Sequence, residues 1–440
     1  MKRTNNFETV NAHAAGIDIG AEKIFVSADG SAVISFDTFT ESYRRVVDYL
    51  KENKIERVAM EATGVYWIAL YEMLEESGIS VCLVNPKETR QVKGRKTDVK
   101  DCQWIQKLFS SGLLRESFIP QGQLRELRMM VREREDVIET GSAYVNKMQK
   151  ALELMNIKLK NVIAQIHGAS GIRMIEAILK GERDADELLS LCHESIIEKK
   201  ADRVKKALEG NYNTTWLFLL EQNLNMWKQH QEHLGRIDKK IEALLEDLNR
   251  DKPDVKSETK AKPIRHHKPD VKNLHQHMLN MYGMDVCSLS GLNDYSLLRL
   301  VGETGVDMSR FPTVNHFVSW CQLSPRHSRS GKMNRRIRVK NKSKAGQIFR
   351  EAAQSLIISK YTAIGAFMRR VRSKRGAPVA IKAGARKIGE AYYNLLTKGQ
   401  EYVEQGVKKY EQKLKEREMK LLSTLARKHN FELSEIQTFR

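Results

Sequence analysis

Four carboxylates in the first quarter of the chain have residue types and positions suited to a metal-assisted reaction. Asp18 lies in the motif GIDIG, Glu61 ends the motif RVAME, and Asp98 and Asp101 stand three residues apart in KTDVKD. Residues three apart on a helix project from one face, so the last two form a pair. Clustered carboxylates repel one another unless hard divalent cations lie between them, and oxygen-only ligation favours Mg²⁺ or Mn²⁺. Two such ions can bind the attacking and leaving oxygens of a phosphodiester displacement.

Each of these carboxylates also has an ordinary structural interpretation. An aspartate between glycines in a strand is typical of a turn or an edge, and Asp98 and Asp101 suit the capping and dipole of a helix N-terminus. The four carboxylates together indicate a catalytic site more strongly than any one of them does, provided that one sheet brings them to the same edge. We also expect the glycines on both sides of Asp18 to leave room for a bulky polyanion or an ion.

A second group of residues suited to phosphate chemistry lies in the basic segment 324–350. This segment contains ten Lys or Arg and no acid, and it lies between the apolar sequences FVSWCQL and FREAAQSLII, which favours an ordered loop. Ser328 and Ser330 stand among its guanidinium groups. A serine so placed can attack phosphorus while arginines stabilise the developing charge, and a serine that only binds phosphate is the alternative. We predict nucleic-acid contacts for Lys93, Arg95, Lys96, Arg326, Arg329, Lys332, Arg335, Arg336 and Arg338.

The overall composition agrees with a protein that binds polyanions. The 440 residues include 75 Lys plus Arg against 55 Asp plus Glu, a formal net charge of +20. Such a surplus favours nucleic acid as the partner, and 41% hydrophobic residues exclude wholesale disorder. No stretch approaches about 18 apolar residues and no signal-peptide pattern is present, so we expect a cytoplasmic protein with no membrane partner. P-loop, HExxH and GxSxG motifs are absent from the sequence.

The elements that must position these residues fall into several regions. Residues 14–115 follow the order βββαβαβα, which predicts a mixed sheet with helices on its faces. Two heptad seams, at 124–166 and 220–248, predict long helices that pair either within one chain or between chains. The first seam is interrupted where Arg134 and Gly141 take core positions. A proline-containing stretch with a repeated KPDVK predicts a solvated linker. The predicted domains are an α/β domain, a coiled-coil region, this linker and a mostly helical domain, over residues 1–120, 121–250, 251–273 and 274–440.

A series of motifs follows in a fixed order along nearly the whole chain: GIDIG, VAMEATGVYW, VNPKETRQVKGRKTDVKDCQWIQKLFSSGLL, LSGLNDYSLLRLVGETG, FVSWCQLSPRHSRSGK and FREAAQSLI. By the order and spacing of these motifs, the chain resembles the DEDD insertion-sequence transposases of the IS110 family, bacterial recombinases related to the pilin-gene invertases. In this family's usual pattern Gly-Asn precedes the amphipathic helix, where this chain has Ala345 and Gly346.

This resemblance implies a fold and a set of functional residues. It implies an α/β RNase H-like (RuvC-type) N-terminal domain, long coiled-coil helices and a mostly α-helical C-terminal serine transposase domain. The DEDD positions, which would hold Mg²⁺, fall on Asp18, Glu61, Asp98 and Asp101, and the serine nucleophile falls on Ser330. It further implies a phosphoserine intermediate, guidance by a bridge RNA, and active sites completed by different subunits of a homodimer or homotetramer. The expected location is the bacterial cytoplasm, at the nucleoid.

We therefore expect a site-specific DNA recombinase that cleaves and rejoins transposon-end and target DNA. The alternative enzyme is a metal-dependent DNA endonuclease or Holliday-junction resolvase, in which only the carboxylates act and the serine binds phosphate. A third possibility is a non-catalytic nucleic-acid-binding scaffold built on the coiled coil. That interpretation requires the spacing of the four carboxylates to have arisen by chance.

Overall fold

The computed structural model describes residues 9–86, 89, 97–257, 260–325, 327–330, 333–336 and 342–432. Within these ranges, residues 327–330, 333–336, 402–411, 413 and 414 are described by their backbone alone. The chain divides into two compact units, Met1–Ile119 and Pro120–Arg440.

The first unit is built on a mixed five-stranded sheet. Its strands are β1 (Ala14–Ile19), β2 (Lys23–Ser27), β3 (Ile34–Asp37), β4 (Arg57–Glu61) and β5 (Ser80–Val84). They are ordered β3-β2-β1-β4-β5 across the sheet. β1 pairs antiparallel with β2, and β2 with β3, whereas β1, β4 and β5 are parallel. The predicted order βββαβαβα and the mixed sheet are confirmed, and the arrangement is compatible with an RNase H-like fold.

Helices cover both faces of this sheet. Helices α1 (Thr40–Glu52) and α2 (Trp67–Glu76) pack on one face, where Ile17, Val58 and Met60 share a core with Leu50 and Leu74. Helix α3 (Asp98–Ser110) packs on the opposite face, against Ala14, Ala59, Cys82 and Val84. Because successive strand residues point to opposite faces, every second residue of β1 and β4 faces α3.

The second unit is mostly helical and contains two long helices, α4 (Gln123–Leu154) and α8 (Thr214–Asn249), which pack against each other within the chain. One end of this pair shares a core with short helices, and the other end shares a core with the C-terminal helices. The remaining elements are α5 (Ala169–Leu179), α6 (Ala185–Ser190), α7 (Glu194–Leu208), α9 (Leu274–Tyr282), α10 (Asp294–Thr304), α11 (Val314–Trp320), β6 (His327–Ser330), β7 (Met333–Arg336), α12 (Lys344–Leu356), α13 (Ala363–Arg375), α14 (Ala377–Lys398) and α15 (Gln400–Lys428).

Helix α4 ends earlier than the heptad spacing predicts. The apolar seam continues to residue 166, but the helix stops because Asn156 adopts a left-handed conformation with φ of 61°. The amide of Ile157 then donates to the carbonyl of Leu152 at 2.9 Å, which closes the helix in the manner of a Schellman motif. The later seam residues Leu159 and Val162 still reach the same core, through a segment that contains the 3₁₀ turn Leu159–Asn161.

An ion pair occupies the position at which the first predicted seam is interrupted. Arg134, on α4, is fully buried and its Nε lies 2.5 Å from Oδ1 of Asp238 on α8. Its guanidinium carbon also lies 4.9 Å from the ring centroid of Tyr295. The polar residue in the seam is therefore paired across the helix interface.

Residues 251–273, the predicted linker, contain no helix or strand among those described. Several of them bond to other parts of the second unit. The amide of Asp270 donates to Oδ2 of Asp238 at 2.9 Å, and Nζ of Lys262 donates to the carbonyl of Leu289 at 2.6 Å. In the described part of the chain, none of the helices combines the length and the apolar character needed to span a bilayer.

Candidate active site

Asp18 and Glu61 lie on neighbouring parallel strands at the same level of the sheet. The register pairs Gly16 with Ala59 and Ile17 with Met60, so its continuation places Asp18 beside Glu61. Neighbouring strands are about 4.8 Å apart. Ala59 faces α3, and side chains two residues apart on a strand share a face. Both carboxylates therefore lie on the α3 face, where β1 and β4 end.

Helix α3 runs antiparallel to β1 and brings its own acidic residues to this edge. Nε2 of Gln106 donates to the carbonyl of Ala14 at 3.1 Å, and Sγ of Cys102 donates to the carbonyl of Gly16 at 3.1 Å. A step of two residues along a strand covers about 6.6 Å, and a step of four residues along a helix covers about 6 Å, so the two elements stay in step. The next step along β1 thus places Asp18 opposite the first turn of α3, which contains Asp98 and Asp101.

Gly16 allows α3 to pack closely against β1 and does not leave space for a ligand. A Cβ atom at Gly16 would lie 2.4 Å from the backbone nitrogen of Gln106 and 2.6 Å from the carbonyl oxygen of Cys102. The space beside the residue is therefore filled by the α3 backbone. Gly20 belongs to the turn into β2, where its amide donates to the carbonyl of Lys23 at 2.9 Å. The expectation that both glycines leave room for a polyanion or an ion is wrong for Gly16.

Cys102 lies directly against the strand that carries Asp18. Its thiol is fully buried, and burial, with a smaller contribution from the charge of Asp18, raises the pKa of Cys102 to about 12. The group therefore stays protonated and acts as a hydrogen-bond donor to backbone carbonyls of Gly16 and Phe25. A thiol in this state is a poor nucleophile and a poor metal ligand.

Two residues that the sequence interpretation missed connect Glu61 to α3. Oγ1 of Thr89 donates to Oε2 of Glu61 at 3.0 Å, and the carbonyl of Thr89 accepts from Nε1 of Trp104 on α3 at 3.0 Å. The carboxylate at the end of β4 is thereby connected to the helix that carries Asp98 and Asp101. A threonine and a tryptophan in unremarkable sequence positions gave no signal of this role.

The four carboxylates line one edge of the sheet with different exposure. Asp98 is exposed, whereas Asp18, Glu61 and Asp101 are partly buried. No three of them have oxygens within 4.8 Å of one another, so they border a site without closing around it. A donor set made only of carboxylate oxygens fits a hard divalent cation.

One tight group of titratable side chains lies elsewhere, in the second unit. Nδ1 of His275 and Sγ of Cys287 each lie 2.9 Å from Oδ1 of Asp294. Burial raises the pKa of Cys287 well above its usual range, so the thiol stays protonated and donates to the carboxylate. These bonds join α9, the 3₁₀ turn Val286–Ser288 and α10, which makes the group a hydrogen-bonded part of the core.

The predicted serine loop forms a two-stranded hairpin. Strands β6 and β7 pair antiparallel, with Ser330 opposite Met333 and Ser328 opposite Arg335, in the segment for which the sequence predicted an ordered loop. The segment returns to the helices through Ser343, whose amide donates to Oε1 of Gln322 at 3.1 Å. The side chains of Ser328, Ser330, Arg329, Arg335 and Arg336 lie outside the described part of the structure, as do the residues Lys93, Arg95, Lys96, Arg326, Lys332 and Arg338.

The glycine that follows this hairpin has a packing role. A Cβ at Gly346 would lie 1.9 Å from the carbonyl oxygen of Cys321, so α12 begins in backbone contact with the end of α11. Only glycine permits this approach. The helices on both sides of the hairpin are thus held close together at its base.

Two family models match the chain and together cover about half of it. Residues 15–157 match a DEDD transposase model of the IS110 family, and residues 285–368 match a model described as Transposase IS116/IS110/IS902 family. The chain belongs to the IS110 family of transposases. No curated protein matches it.

The matched ranges contain both candidate groups of this IS110-family transposase. The first range includes Asp18, Glu61, Asp98 and Asp101, and the second includes the hairpin with Ser330. The family makes the protein a DNA transposase, and hence an enzyme of DNA recombination that binds DNA. A DEDD domain also suggests dependence on a divalent metal.

Proposed function

We propose that this IS110-family transposase is a site-specific recombinase that cleaves and rejoins transposon-end and target DNA through a phosphoserine intermediate. One structural observation supports the metal-assisted part of the proposal, and the family resemblance is the source of the phosphoserine intermediate. The register of β1 and β4 places Asp18 beside Glu61, and the antiparallel course of α3 brings Asp98 and Asp101 to the same edge. The basic segment with Ser330 supplies a second centre for phosphate chemistry.

The four carboxylates would hold Mg²⁺ or Mn²⁺ in the proposed site. A bound divalent cation supplies Lewis-acid stabilisation of charge on phosphodiester oxygens. The chain itself contributes the positions of the ligands: Asp18 and Glu61 on the sheet, and Asp98 and Asp101 on the first turn of α3. The bond from Thr89 further restrains Glu61.

Ser330 would act as the nucleophile. Its oxygen forms a bond to phosphorus, the bond from phosphorus to a deoxyribose oxygen breaks, and the serine proton leaves while the departing oxygen gains one. Attack by a deoxyribose hydroxyl of another strand reverses these changes and frees the serine. The phosphoester is conserved throughout, which explains why such an enzyme needs no P-loop. Positive charge in the acid-free segment would stabilise the phosphorane-like transition state.

The proposed partners follow from charge and from the family resemblance. The net charge of +20 and the basic segment favour nucleic acid as the partner. The family resemblance implies that this nucleic acid is transposon-end and target DNA together with a bridge RNA. If six to ten basic groups contact phosphates, the slope of log affinity against log salt should be roughly −5 to −9. We further propose a homodimer or homotetramer with sites shared between subunits, located in the cytoplasm at the nucleoid.

Two substitutions test the function. Ser330→Ala and Asp18→Asn should each lower strand exchange by at least about 1000-fold, equivalent to about 4 kcal/mol of transition-state stabilisation, while DNA binding is retained. Ser328→Ala is the matched control and should remain active. If Ser330→Ala still cuts DNA and Asp18→Asn does not, the enzyme is a metal-dependent nuclease or resolvase. Indifference to both substitutions would support the scaffold alternative.

A further inference from the structure

Thr89 connects three parts of the first unit at the edge of the sheet. Its hydroxyl oxygen lies 3.0 Å from Oε2 of Glu61 and 3.2 Å from the carbonyl oxygen of Pro86, so the carboxylate is the nearer of its two acceptors. Its own carbonyl accepts the indole N–H of Trp104 at 3.0 Å. Thr89 is only 6% exposed, so water competes little for these bonds.

We infer that Thr89 is a positioning residue, which orients the Glu61 carboxylate toward the divalent cation that the four carboxylates would hold. This inference rests on the proposed function of Glu61 as a metal ligand. A carboxylate has about four acceptor directions, so one bond from a hydroxyl leaves capacity for a cation. Residues that bond to metal ligands fix the orientation of those ligands and strengthen metal binding.

The bond from Trp104 explains why Thr89 can perform this role. The indole N–H is a donor only, and its bond to the Thr89 carbonyl fixes the backbone from which the hydroxyl projects. Trp104 follows Asp101 by three residues on α3, so the two project from neighbouring positions on one helix face. Glu61 is therefore held relative to the same helix that carries the other two predicted ligands.

A purely structural role for Thr89 makes a different prediction. In that case, loss of the hydroxyl would lower the stability of the first unit, and the affinity for metal would be unchanged in protein that remains folded. A positioning role predicts a loss of metal affinity that a serine, which keeps the hydroxyl, restores. Metal affinity measured without DNA separates these roles, because it does not depend on any catalytic step.

The test is Mn²⁺ binding by the full-length protein, with free Mn²⁺ measured by electron paramagnetic resonance. Thr89→Val, which keeps the shape of the side chain and removes the hydroxyl, should raise the Mn²⁺ dissociation constant about 10-fold, and Thr89→Ser should stay within about 2-fold of the unmodified protein. Trp104→Phe should give a smaller increase of about 3-fold, because Thr89 keeps its hydroxyl. Thr38→Val is the matched control in the same unit, since its hydroxyl donates to the carbonyl of Ala21 and not to a carboxylate. Circular dichroism establishes that each variant is folded.

Glu61→Gln separates failure of the inference from failure of the proposed site. If Glu61→Gln weakens Mn²⁺ binding and Thr89→Val binds Mn²⁺ like Thr38→Val, Thr89 is structural and the inference is wrong while the metal site stands. If Glu61→Gln has no effect, Glu61 is not a metal ligand, and both the inference and the proposed four-carboxylate metal site fail. A loss of affinity that Thr89→Ser does not restore would also overturn the positioning role.

Discussion

The two units of this transposase position their candidate reactive residues in different ways. In the first unit, the register of two parallel strands and the direction of one helix place Asp18, Glu61 and the first turn of α3 at a common edge. In the second unit, Ser330 lies on a hairpin between helices whose packing depends on contacts between residues distant in sequence. A sheet can fix a site by local geometry, whereas a helical scaffold needs specific side-chain pairs to set its arrangement.

Ion pairs between helices provide much of this specificity in the second unit. Arg299 on α10 pairs with Glu135 on α4, and its Nη1 lies 2.6 Å from Oε2 of Glu351 on α12. Arg132 makes two bonds to Glu303, at 2.7 and 2.8 Å. These pairs join α4 to α10, and α10 to α12. In the first unit, backbone pairing between strands and close packing of α3 on the sheet fix the positions of the candidate residues.

Removing the most buried of these ion pairs should have the largest effect on stability. Arg134→Met leaves Asp238 buried without its counter-charge, and we expect the free energy of unfolding of the second unit to fall by about 3 to 5 kcal/mol. Chemical denaturation measures this loss. Lys228→Met, which removes the more exposed pair with Glu176, is the control and should cost less than about 1 kcal/mol. Equal losses in both variants would show that the helix pair does not depend on Arg134.

Two glycines allow the same substitution to be compared in each unit. Gly16→Ala and Gly346→Ala both place a Cβ against backbone atoms, at 2.4 and 1.9 Å, so each should destabilise its unit by roughly 1 to 3 kcal/mol. Only Gly16→Ala displaces α3, and so only this variant should also weaken Mn²⁺ binding.

The control for this pair is Gly235→Ala on α8, where no atom lies within 4 Å of the added Cβ. Alanine in a helix should stabilise it by about 0.5 to 1 kcal/mol. Thermal unfolding gives the stabilities, and titration with Mn²⁺ gives the affinities. If Gly346→Ala weakened Mn²⁺ binding as much as Gly16→Ala, the carboxylate site would not be a local property of the first unit.

The last predicted effect appears only at alkaline pH, where Cys102 should make the stability depend on pH. Its folded pKa of about 12 exceeds the ordinary thiol value of 9.0, so the unfolded chain loses this proton first as the pH rises. Stability from this group is fully present below pH 9 and is lost between pH 9 and 12, with a slope of up to about 1.4 kcal/mol per pH unit. Unfolding of Cys102→Ala over this range should show a correspondingly shallower slope. An unchanged slope would mean that the thiol is not protected in the folded state.

Much of the first unit could be predicted because its signals are local. Strand-length apolar runs separated by turns give the order βββαβαβα, and Asp18 and Glu61 stand near the ends of two such runs. The bond between Thr89 and Glu61 could not be predicted, since it joins residues 28 apart through a loop whose path the sequence does not specify. The role of Gly16 was also missed, because only the packed helix shows that the space beside it is filled.

The second unit was predicted less completely because its structure depends more on contacts between residues distant in sequence. Heptad spacing indicates α4 and α8 but is satisfied equally by pairing within or between chains. The spacing also continues past Asn156, whose left-handed backbone ends α4. Arg134 appears in the sequence as an interruption of the seam, and only the position of Asp238 on the other helix explains it. The hairpin strands are short and charged, without the apolar alternation that would indicate them.

The most direct test of the account is mass spectrometry of the full-length protein trapped on DNA that carries the ends of its element. We predict a peptide that contains Ser330 joined to DNA through a phosphodiester, absent in Ser330→Ala and retained in Ser328→Ala. An adduct on Ser328 would show that the nucleophile is Ser328, two residues earlier on β6. Cleavage of the DNA without any covalent adduct would contradict the serine mechanism.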